Sequence, residues 1–292
     1  MIDWMKYRWL YLLISGVVIL SGMLSLLKWG LVISVEFKGG TLVEYKLEKD
    51  IGSEKITNSV RELGVEVVSV QKTQNNSYLL KLGQVDPTKR ANITSALGKI
   101  SGKVDELRFE TIGPTVGPEL VRKTLYGMLL AASGILLWVA FQFKSIKFGL
   151  SAVLAMVHDS LVTIGVYSIL GHFFGAEVDL LFVTALLTIL SFSVHDTIIV
   201  YDRIRESKKN FGDSLYDLAN KATSETMVRS LNNTFVVVFM MVALLLLGGT
   251  TIKWFVATLL VGTISGAYSS PFVAVSILVT WDELQKKFKK RA

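Results

Sequence analysis

The chain has 292 residues, of which 51% are hydrophobic and only 19% are charged, and its mean hydropathy is +0.49. This composition excludes an ordinary soluble globular protein and indicates a multi-pass membrane protein with a modest soluble domain. The net charge of +7 does not predict nucleic-acid binding, because the charges collect at the ends of apolar segments. The absence of cysteine excludes disulfides, thiol nucleophiles and cysteine metal sites.

Six apolar segments are each near the roughly 20 residues that a membrane-spanning helix requires. They lie at residues 10–27, 125–143, 148–170, 180–201, 231–247 and 254–279. The first is longer than the apolar core of a signal peptide and no small-residue cleavage site follows it, so we interpret it as an uncleaved anchor. Lysine and arginine are concentrated in alternate flanks, and the positive-inside rule then predicts that both termini lie in the cytoplasm.

These segments divide the chain into four parts. They are a cytoplasmic N-terminus with the first span at 1–27, a polar domain with its linker at 28–123, a five-helix membrane region at 124–281 that includes a cytoplasmic loop at 202–230, and a basic cytoplasmic tail at 282–292. The predicted location is therefore the cytoplasmic (inner) membrane, crossed several times.

The polar segment after the first span has the patterns of a small α+β domain. Strands are predicted at 32–47, 65–71, 78–82 and 104–112, and helices at 53–63 and from Asp86-Pro87-Thr88 onward. Ser53 is the predicted N-cap of the first helix, and Asn75-Asn76 marks a hairpin turn. The order β-α-β-β-α-β predicts a ferredoxin-like domain, which the topology places outside the cytoplasm.

A short segment that contains Gly113, Pro114, Gly117 and Pro118 joins this domain to the second span. Prolines favour extended backbone and glycines permit bends. Two interpretations are open: an ordinary linker, or a hinge that transmits force between the membrane and the soluble domain.

Residues 210–229, which follow the fourth span, have the spacing of an amphipathic cytoplasmic helix. Leu215, Leu218 and Ala222 share its apolar face, and Asn210 or Asp213 is the predicted cap. The helix is predicted to continue into the fifth span.

Ionisable residues inside membrane spans are costly and mark functional positions. His158-Asp159 lies near the centre of the third span, His195-Asp196 lies about one turn from the cytoplasmic end of the fourth, and Arg229 lies at a similar depth in the fifth. Structural alternatives are open for each: a self-satisfied buried pair at His158-Asp159, a partly wetted acid at Asp196, and a snorkelling cation at Arg229. A metal site is disfavoured, because neither pair has helical metal-ligand spacing.

Two helix faces stand out by their spacing. Thr184, Thr188, Ser191 and His195 recur every three or four residues on the fourth span, so this polar face is predicted to point into the helix bundle. On the sixth span, a G-x-x-x-G motif predicts close helix packing, and Pro271 predicts a kink. Two interpretations of the motif are open: a purely structural packing site, or a surface that packs against a partner subunit. The packing residues there are Gly262, Gly266, Tyr268, Ser269 and Ser270.

Together these motifs resemble the SecF family, the smaller subunits of the SecD–SecF accessory complex of protein export, in the RND superfamily. The family pattern G-I-D-F-x-G-G-T is similar to S-V-E-F-K-G-G-T at 34–41, and V-G-P-x-x-G-x-E-L is similar to I-G-P-T-V-G-P-E-L at 112–120. The pattern S-I-N-D-T-I-V-V-F-D-R-I-R-E is similar to residues 193–206, with His195 in place of asparagine. The related SecD pattern places its acid one residue earlier, so Asp196 favours SecF.

This resemblance implies a non-enzymatic subunit that uses the proton motive force to help pull exported polypeptides across the membrane. It implies no cofactor and a coupling ion that is the proton or, alternatively, sodium. The implied proton-coupling residues are Asp196, Arg229, His195, Asp159 and His158. The implied partners are a SecD-like subunit, a SecYEG-type channel with accessory membrane proteins, the unfolded exported polypeptide and membrane lipid.

Two rival functions are weighed against this one. An intramembrane aspartyl protease would use Asp159 and Asp196, but no Gly-x-Gly-Asp-like context surrounds either acid. An RND-type small-molecule exporter usually has larger extracytoplasmic domains than the one present here.

Overall fold

A computed structural model describes residues 2–73, 76–113, 116–143, 145–211 and 214–291 of the chain. The helices in these ranges are Arg8–Trp29 (α1), Val35–Lys38 (α2), Ser53–Glu62 (α3), Pro87–Ser101 (α4), Val116–Phe143 (α5), Ile146–Phe174 (α6), Leu180–Phe211 (α7), Leu215–Leu247 (α8), Lys253–Ser269 (α9) and Val275–Arg291 (α10). The strands are Gly40–Leu47 (β1), Val67–Lys72 (β2), Ser77–Leu82 (β3) and Val104–Ile112 (β4).

Within the described ranges, six helical segments are long and apolar enough to cross a membrane, in agreement with the prediction. They are Trp4–Trp29, Gly117–Gln142, Ile146–Phe174, Leu180–Ser207, Leu215–Leu247 and Thr250–Phe288. The third, fourth and sixth segments are the most buried, so they form the centre of the bundle, whereas α5 and α8 lie at its edge with exposed apolar side chains such as Leu130 and Phe239.

The segment between α1 and α5, the predicted soluble domain, has a four-stranded antiparallel sheet in the order β2-β3-β1-β4, and its elements follow one another as β-α-β-β-α-β. Its core contains Tyr45, Ile56, Tyr78, Leu80 and Leu97, all of which are buried between the sheet and helices α3 and α4. Period-2 alternation directs Tyr78 and Leu80 of β3 toward these helices, so Leu79 and Lys81 lie on the opposite face of the sheet.

Several predicted boundaries in this domain are wrong by a few residues. The strand predicted at 32–47 begins at Gly40, because Val35–Lys38 forms a helical turn and Gly39 and Gly40 follow it with positive φ angles of 83° and 154°. Such angles favour glycine and interrupt an extended run. The N-cap of α3 is Gly52 rather than Ser53.

The turns that frame the sheet depend on local polar contacts. Asp86 caps α4, since its carboxylate accepts a hydrogen bond of 2.7 Å from the backbone N–H of Lys89. Hydrogen bonds from Lys72 and Tyr78 lower the pKa of Asp50 to about 2, which ties the loop after β1 to the β2–β3 hairpin. In the predicted hairpin turn, Asn76 has a positive φ of 57°, and Asn75 lies outside the described residues.

The predicted hinge differs from an extended linker. Helix α5 begins at Val116, so Gly117 and Pro118 lie in its first turn, where proline is tolerated because no internal hydrogen bond is lost. Gly117 packs on the turn after α2, and a Cβ added to it would lie 2.9 Å from the backbone nitrogen of Gly39. The C-terminal part of the predicted hinge is therefore helical, and Gly117 packs tightly against the turn after α2. Gly113 precedes α5, and Pro114 lies outside the described residues.

A contact that the sequence patterns did not predict holds α1 to α6. The backbones of Gly22 and Gly165 approach so closely that a Cβ at Gly22 would lie 2.9 Å from the Cα of Gly165. Nearby, the Ser25 hydroxyl donates to that of Ser168 at 3.0 Å. Small residues at a crossing allow such close helix packing in a membrane.

At its N-terminal end, α8 has a buried face that includes Leu218 and Ala222, and it continues into the fifth span as predicted. Its N-cap is Ser214, whose hydroxyl accepts from the backbone N–H of Asp217 at 3.3 Å. Of the two predicted caps, Asn210 belongs to α7 and Asp213 lies outside the described residues.

Candidate functional site

Asp159, on α6, lies in a polar cluster in the middle of the helix bundle. Its carboxylate is completely buried and accepts three serine hydroxyl bonds of 2.6 Å, from Ser193 of α7 and from Ser265 and Ser269 of α9. Hydrogen bonds to a carboxylate are stronger than those between neutral groups. One acidic group therefore joins three membrane helices.

The neighbouring His158 is also buried, with its Nδ1 atom 3.1 Å from Oδ1 of Asp159. Its Nε2 atom is buried and has no hydrogen-bond partner among the described residues. One alternative from the sequence was that His158 and Asp159 satisfy each other's hydrogen bonds. The structure contradicts it, because three serine hydroxyls supply most of the donors to Asp159. Ser193 and Ser265 were missed by the sequence reasoning. The available signal was the four-residue spacing of Ser265 and Ser269, which puts both on one helix face.

The G-x-x-x-G face of α9 is used within the chain. A Cβ at Gly266 would lie 3.5 Å from the Cα of Ser193, and the position of Gly262 is filled closely by the side chain of Ile189, also on α7. The prediction that this face binds a partner subunit is therefore wrong, since α7 occupies it. The small residues let α9 approach α7 closely enough for its serines to reach Asp159.

The residues that follow the G-x-x-x-G motif also contact neighbouring helices of the bundle. Tyr268 donates its hydroxyl to the backbone carbonyl of Tyr11 at 2.9 Å, and the hydroxyls of Ser270 and Thr197 lie 3.0 Å apart. Pro271, which was predicted to kink the span, lies in a π-helical turn over Ser270–Ala274. Such a wider turn accommodates a residue that has no N–H to donate.

Asp196 and Arg229 lie on adjacent helices, α7 and α8, and line one cleft of about 260 Å³. His195 and Asn233 line it as well. Asp196 is half-buried, whereas Arg229 is exposed, and no ion pair joins the two in the described part of the chain. The structure thus places the two predicted coupling residues around a common space, without direct contact between their charges.

A second cleft of about 480 Å³ lies next to the first, toward the C-terminal end of α7 and the N-terminal end of α8, and shares Ile199 and Arg229 with it. Asp202, Glu206 and Glu225 bring acidic groups to this cleft. Arg203 pairs there with Glu225 across the two helices. Arg229 therefore lies between Asp196 and a second set of acidic side chains.

The polar face of α7 does not point into the bundle of this chain, contrary to the prediction. Thr184, Ser191 and His195 are exposed and Thr188 is half-buried, whereas the buried face of α7 carries Ser193. Thr184 and Thr188 donate their hydroxyls to backbone carbonyls one turn earlier, at 2.8 Å each. Asn232 and Asn233 of α8 are also exposed. Polar side chains thus lie on the outside of α7 and α8, and two of them, His195 and Asn233, line the Asp196 cleft.

Comparison with known proteins identifies a matching family and two similar solved structures. Residues 92–284 match the family described as "Protein export membrane protein SecD/SecF, C-terminal". Two solved structures of SecDF are similar: the Thermus thermophilus protein, a translocon-associated membrane protein, at a TM-score of 0.84, and a super-membrane-facing form of SecDF at 0.72. Each is 28% identical, and the chain is covered to 97% and 99% while it spans only 39% and 40% of those longer chains.

Curated relatives match over nearly their full length. "Protein translocase subunit SecF" of Thermobaculum terrenum is 38% identical over 97% of this chain and 94% of its own length. The subunit of the same name from Anaerolinea thermophila is 34% identical over 100% of this chain and 98% of its own length. With identities of this size over almost the whole sequence, the chain belongs to the SecF family of protein translocase subunits.

Proposed function

We propose that this chain is an accessory, non-enzymatic subunit of the Sec protein-export machinery, which uses the proton motive force to promote late translocation of exported polypeptides. The observation that supports this most directly is the cleft that Asp196 shares with Arg229 inside two candidate membrane spans. A half-buried acid at this depth can change its charge by binding a proton, and a nearby cation makes the two charge states unequal in energy.

The proposed cycle uses Arg229 as the responding group. When Asp196 is ionised, attraction draws the guanidinium toward it; when Asp196 is protonated, the acidic side chains of the adjacent cleft compete for the same cation. His195 lines the Asp196 cleft, whereas His158 and Asp159 belong to the buried cluster, in which Asp159 couples α6 to α7 and α9. The coupling ion is the proton in this proposal, with sodium as the alternative, and no cofactor is required.

The exposed polar surface of α7 and α8 supports a SecD-like partner. Ser191, His195 and Asn232 would face lipid in an isolated chain, and polar groups in hydrocarbon are unfavourable unless other helices cover them. We infer that membrane helices of a SecD-like subunit cover this surface. The other proposed partners are a SecYEG-type channel with its accessory proteins, the unfolded polypeptide and surrounding lipid.

The soluble domain is proposed to be ferredoxin-like and extracytoplasmic. The sheet order β2-β3-β1-β4 and the two helices on one face support this fold, and the positive flanks support the orientation, with both termini in the cytoplasm. Because the chain has no cysteine, Asn76→Cys provides a single thiol for labelling. We expect an impermeant thiol reagent to label it in intact cells. Labelling only after lysis would contradict the orientation.

Pulse-chase measurement of export tests the function itself. In cells depleted of their own SecF subunit, this chain and a SecD-like partner should shorten the time for exported precursors to complete translocation. The gain should disappear when a protonophore collapses the gradient, because proton movement supplies about 2.3 kcal/mol per 100 mV. Stimulation of equal size after collapse of the gradient would rule out the proposed coupling.

A further inference from the structure

The soluble domain is attached to the membrane region by a buried ion pair between residues far apart in the sequence. The ammonium of Lys81, on β3, lies 3.0 Å from the carboxylate of Glu177, which is in the loop between α6 and α7. Their side chains are only 9% and 5% exposed. Such a pair differs from an exposed one, because removal of either partner leaves an uncompensated charge out of water.

The sheet geometry explains why a lysine is buried here. Lys81 lies on the face of β3 that points away from α3 and α4, so it faces the membrane region rather than the core of its own domain. Glu177 is held in place from the other side, since the Tyr167 hydroxyl of α6 donates to its backbone carbonyl at 2.7 Å. Lys81 therefore belongs to the sheet of the domain, whereas the backbone of Glu177 is anchored to α6.

Backbone pairing reinforces the contact next to this ion pair. Ile33 and Val178 form a parallel β-bridge, with the N–H of Val178 bonded to the carbonyl of Val32 at 2.7 Å and the N–H of Ser34 bonded to the carbonyl of Val178 at 3.0 Å. Residues 32–34 lead directly into the soluble domain, whereas Val178 leads into α7. The contact thus joins the entrance of the domain to the start of a membrane helix.

The N-terminal end of α7 belongs to the same contact region. This region, which includes Lys81, Glu177 and the Ile33–Val178 bridge, is called the junction below. The carboxylate of Glu36 accepts the backbone N–H of Leu180 at 2.9 Å, and Asp179 accepts that of Phe182 at 2.8 Å. Asp196 follows on the same helix, about 24 Å further along at a rise of about 1.5 Å per residue. A displacement of α7 at Asp196 therefore reaches this junction through one continuous helix.

We propose that the Lys81–Glu177 ion pair is the positioning contact that makes the soluble domain move together with α7, a role that rests on the proposed proton coupling at Asp196. The start of α5 at Gly117 and Pro118 then follows this movement and does not act as a free hinge. The geometry of Gly117 agrees, because this residue is packed tightly on the turn after α2.

Spin labels test the junction without reference to export. In the complex with the SecD-like partner, labels at Asn58→Cys on α3 and Phe173→Cys on α6, both exposed positions, report the distance between the domain and the membrane region. We expect one narrow distance distribution that Lys81→Met broadens. The matched control is Lys103→Met, which removes an exposed ion pair with Asp105 and should leave the distribution narrow. A broad distribution in the otherwise unchanged chain would overturn the proposal.

Export measurements test the role of the junction in coupling. Lys81→Met and Glu177→Gln should each reduce gradient-driven stimulation on the order of tenfold, and the charge swap Lys81→Glu with Glu177→Lys should restore part of it. A disulfide between Ile33→Cys and Val178→Cys, verified by thiol titration, should leave stimulation intact, because it joins parts that already move together. Loss of stimulation on oxidation with recovery on reduction would mean that the domain must detach, and would overturn the proposal.

The two sets of measurements also separate this inference from the proposed function. A narrow distance distribution in a chain whose export does not depend on the gradient would count against the proton coupling alone. A variant that fails to assemble is recognised by loss of the copurified partner, and the disulfide measurement then still decides between a fixed and a detaching domain.

Discussion

Replacement of Asp196 by asparagine is expected to remove the gradient-driven part of export stimulation, with folding and partner assembly preserved. Asparagine has nearly the same shape as aspartic acid but neither ionises nor attracts Arg229 as a carboxylate does. The energy available from one proton at 100 mV, about 2.3 kcal/mol, corresponds to a roughly fifty-fold shift in a two-state equilibrium. The variant should lose that shift entirely. Pulse-chase export with and without a protonophore measures the loss.

Two matched variants on the same helix sharpen this test. Asp202→Asn removes one of the three acidic groups of the adjacent cleft, about two turns closer to the end of α7, and should weaken the stimulation only in part, because Glu206 and Glu225 remain. His195→Asn introduces the asparagine that the family pattern has at this position, and it should also remain active. If Asp196→Asn supported gradient-driven export as well as the unchanged chain, the coupling role of this acid would be wrong.

Replacement of Asp159 by alanine is expected to destabilise the membrane bundle by about 2–5 kcal/mol, because three buried serine hydroxyls would lose their common acceptor. Three full desolvation penalties would sum to about 3–9 kcal/mol, and the expected loss lies in the lower part of that range because hydrogen bonds between membrane helices are individually weak. Thermal unfolding of the detergent-solubilised complex, followed by circular dichroism, should show a lower Tm.

The neighbouring position supplies the control for this change. Ser160→Ala removes a hydroxyl that bonds only to the backbone carbonyl of Met156 on its own helix, and it should leave the Tm nearly unchanged. Asp159→Asn keeps an acceptor oxygen and should be milder than alanine. If this asparagine variant were stable but inactive in gradient-driven export, Asp159 would carry protons as well as join helices. An alanine variant that melts at the original temperature would contradict the structural role.

Features that depend on neighbours in the sequence could be predicted from the sequence alone. The six spans follow from the length of apolar runs, because a helix in lipid satisfies its own backbone. Helix α4 follows from Asp86 and Pro87 at its start, and β4 has the predicted bounds Val104–Ile112. The positions of Asp159 and Asp196 within their apolar segments also follow from the sequence. The titratable groups of the candidate site could therefore be predicted, although the residues that surround them could not.

The tertiary structure decided which neighbour each surface meets. Spacing shows that Thr184, Ser191 and His195 share a face, but the order of helices around the bundle determines that this face is on the outside. The same order places α7 against Gly262 and Gly266, where a partner had been expected. Helical periodicity defines a direction relative to the helix axis only, and it contains no information about what lies in that direction.

Long-range polar contacts were likewise decided by the tertiary structure. Lys81 and Glu177 are 96 positions apart, and nothing in the local pattern around either residue marks it as buried or paired. Ser193 and Ser265 reach Asp159 from two other helices, at separations of 34 and 106 positions. A buried charge is stable only where distant elements converge on it with the right donors. The sequence by itself determined the helices and their acids, and only their convergence in three dimensions decided which groups satisfy those charges.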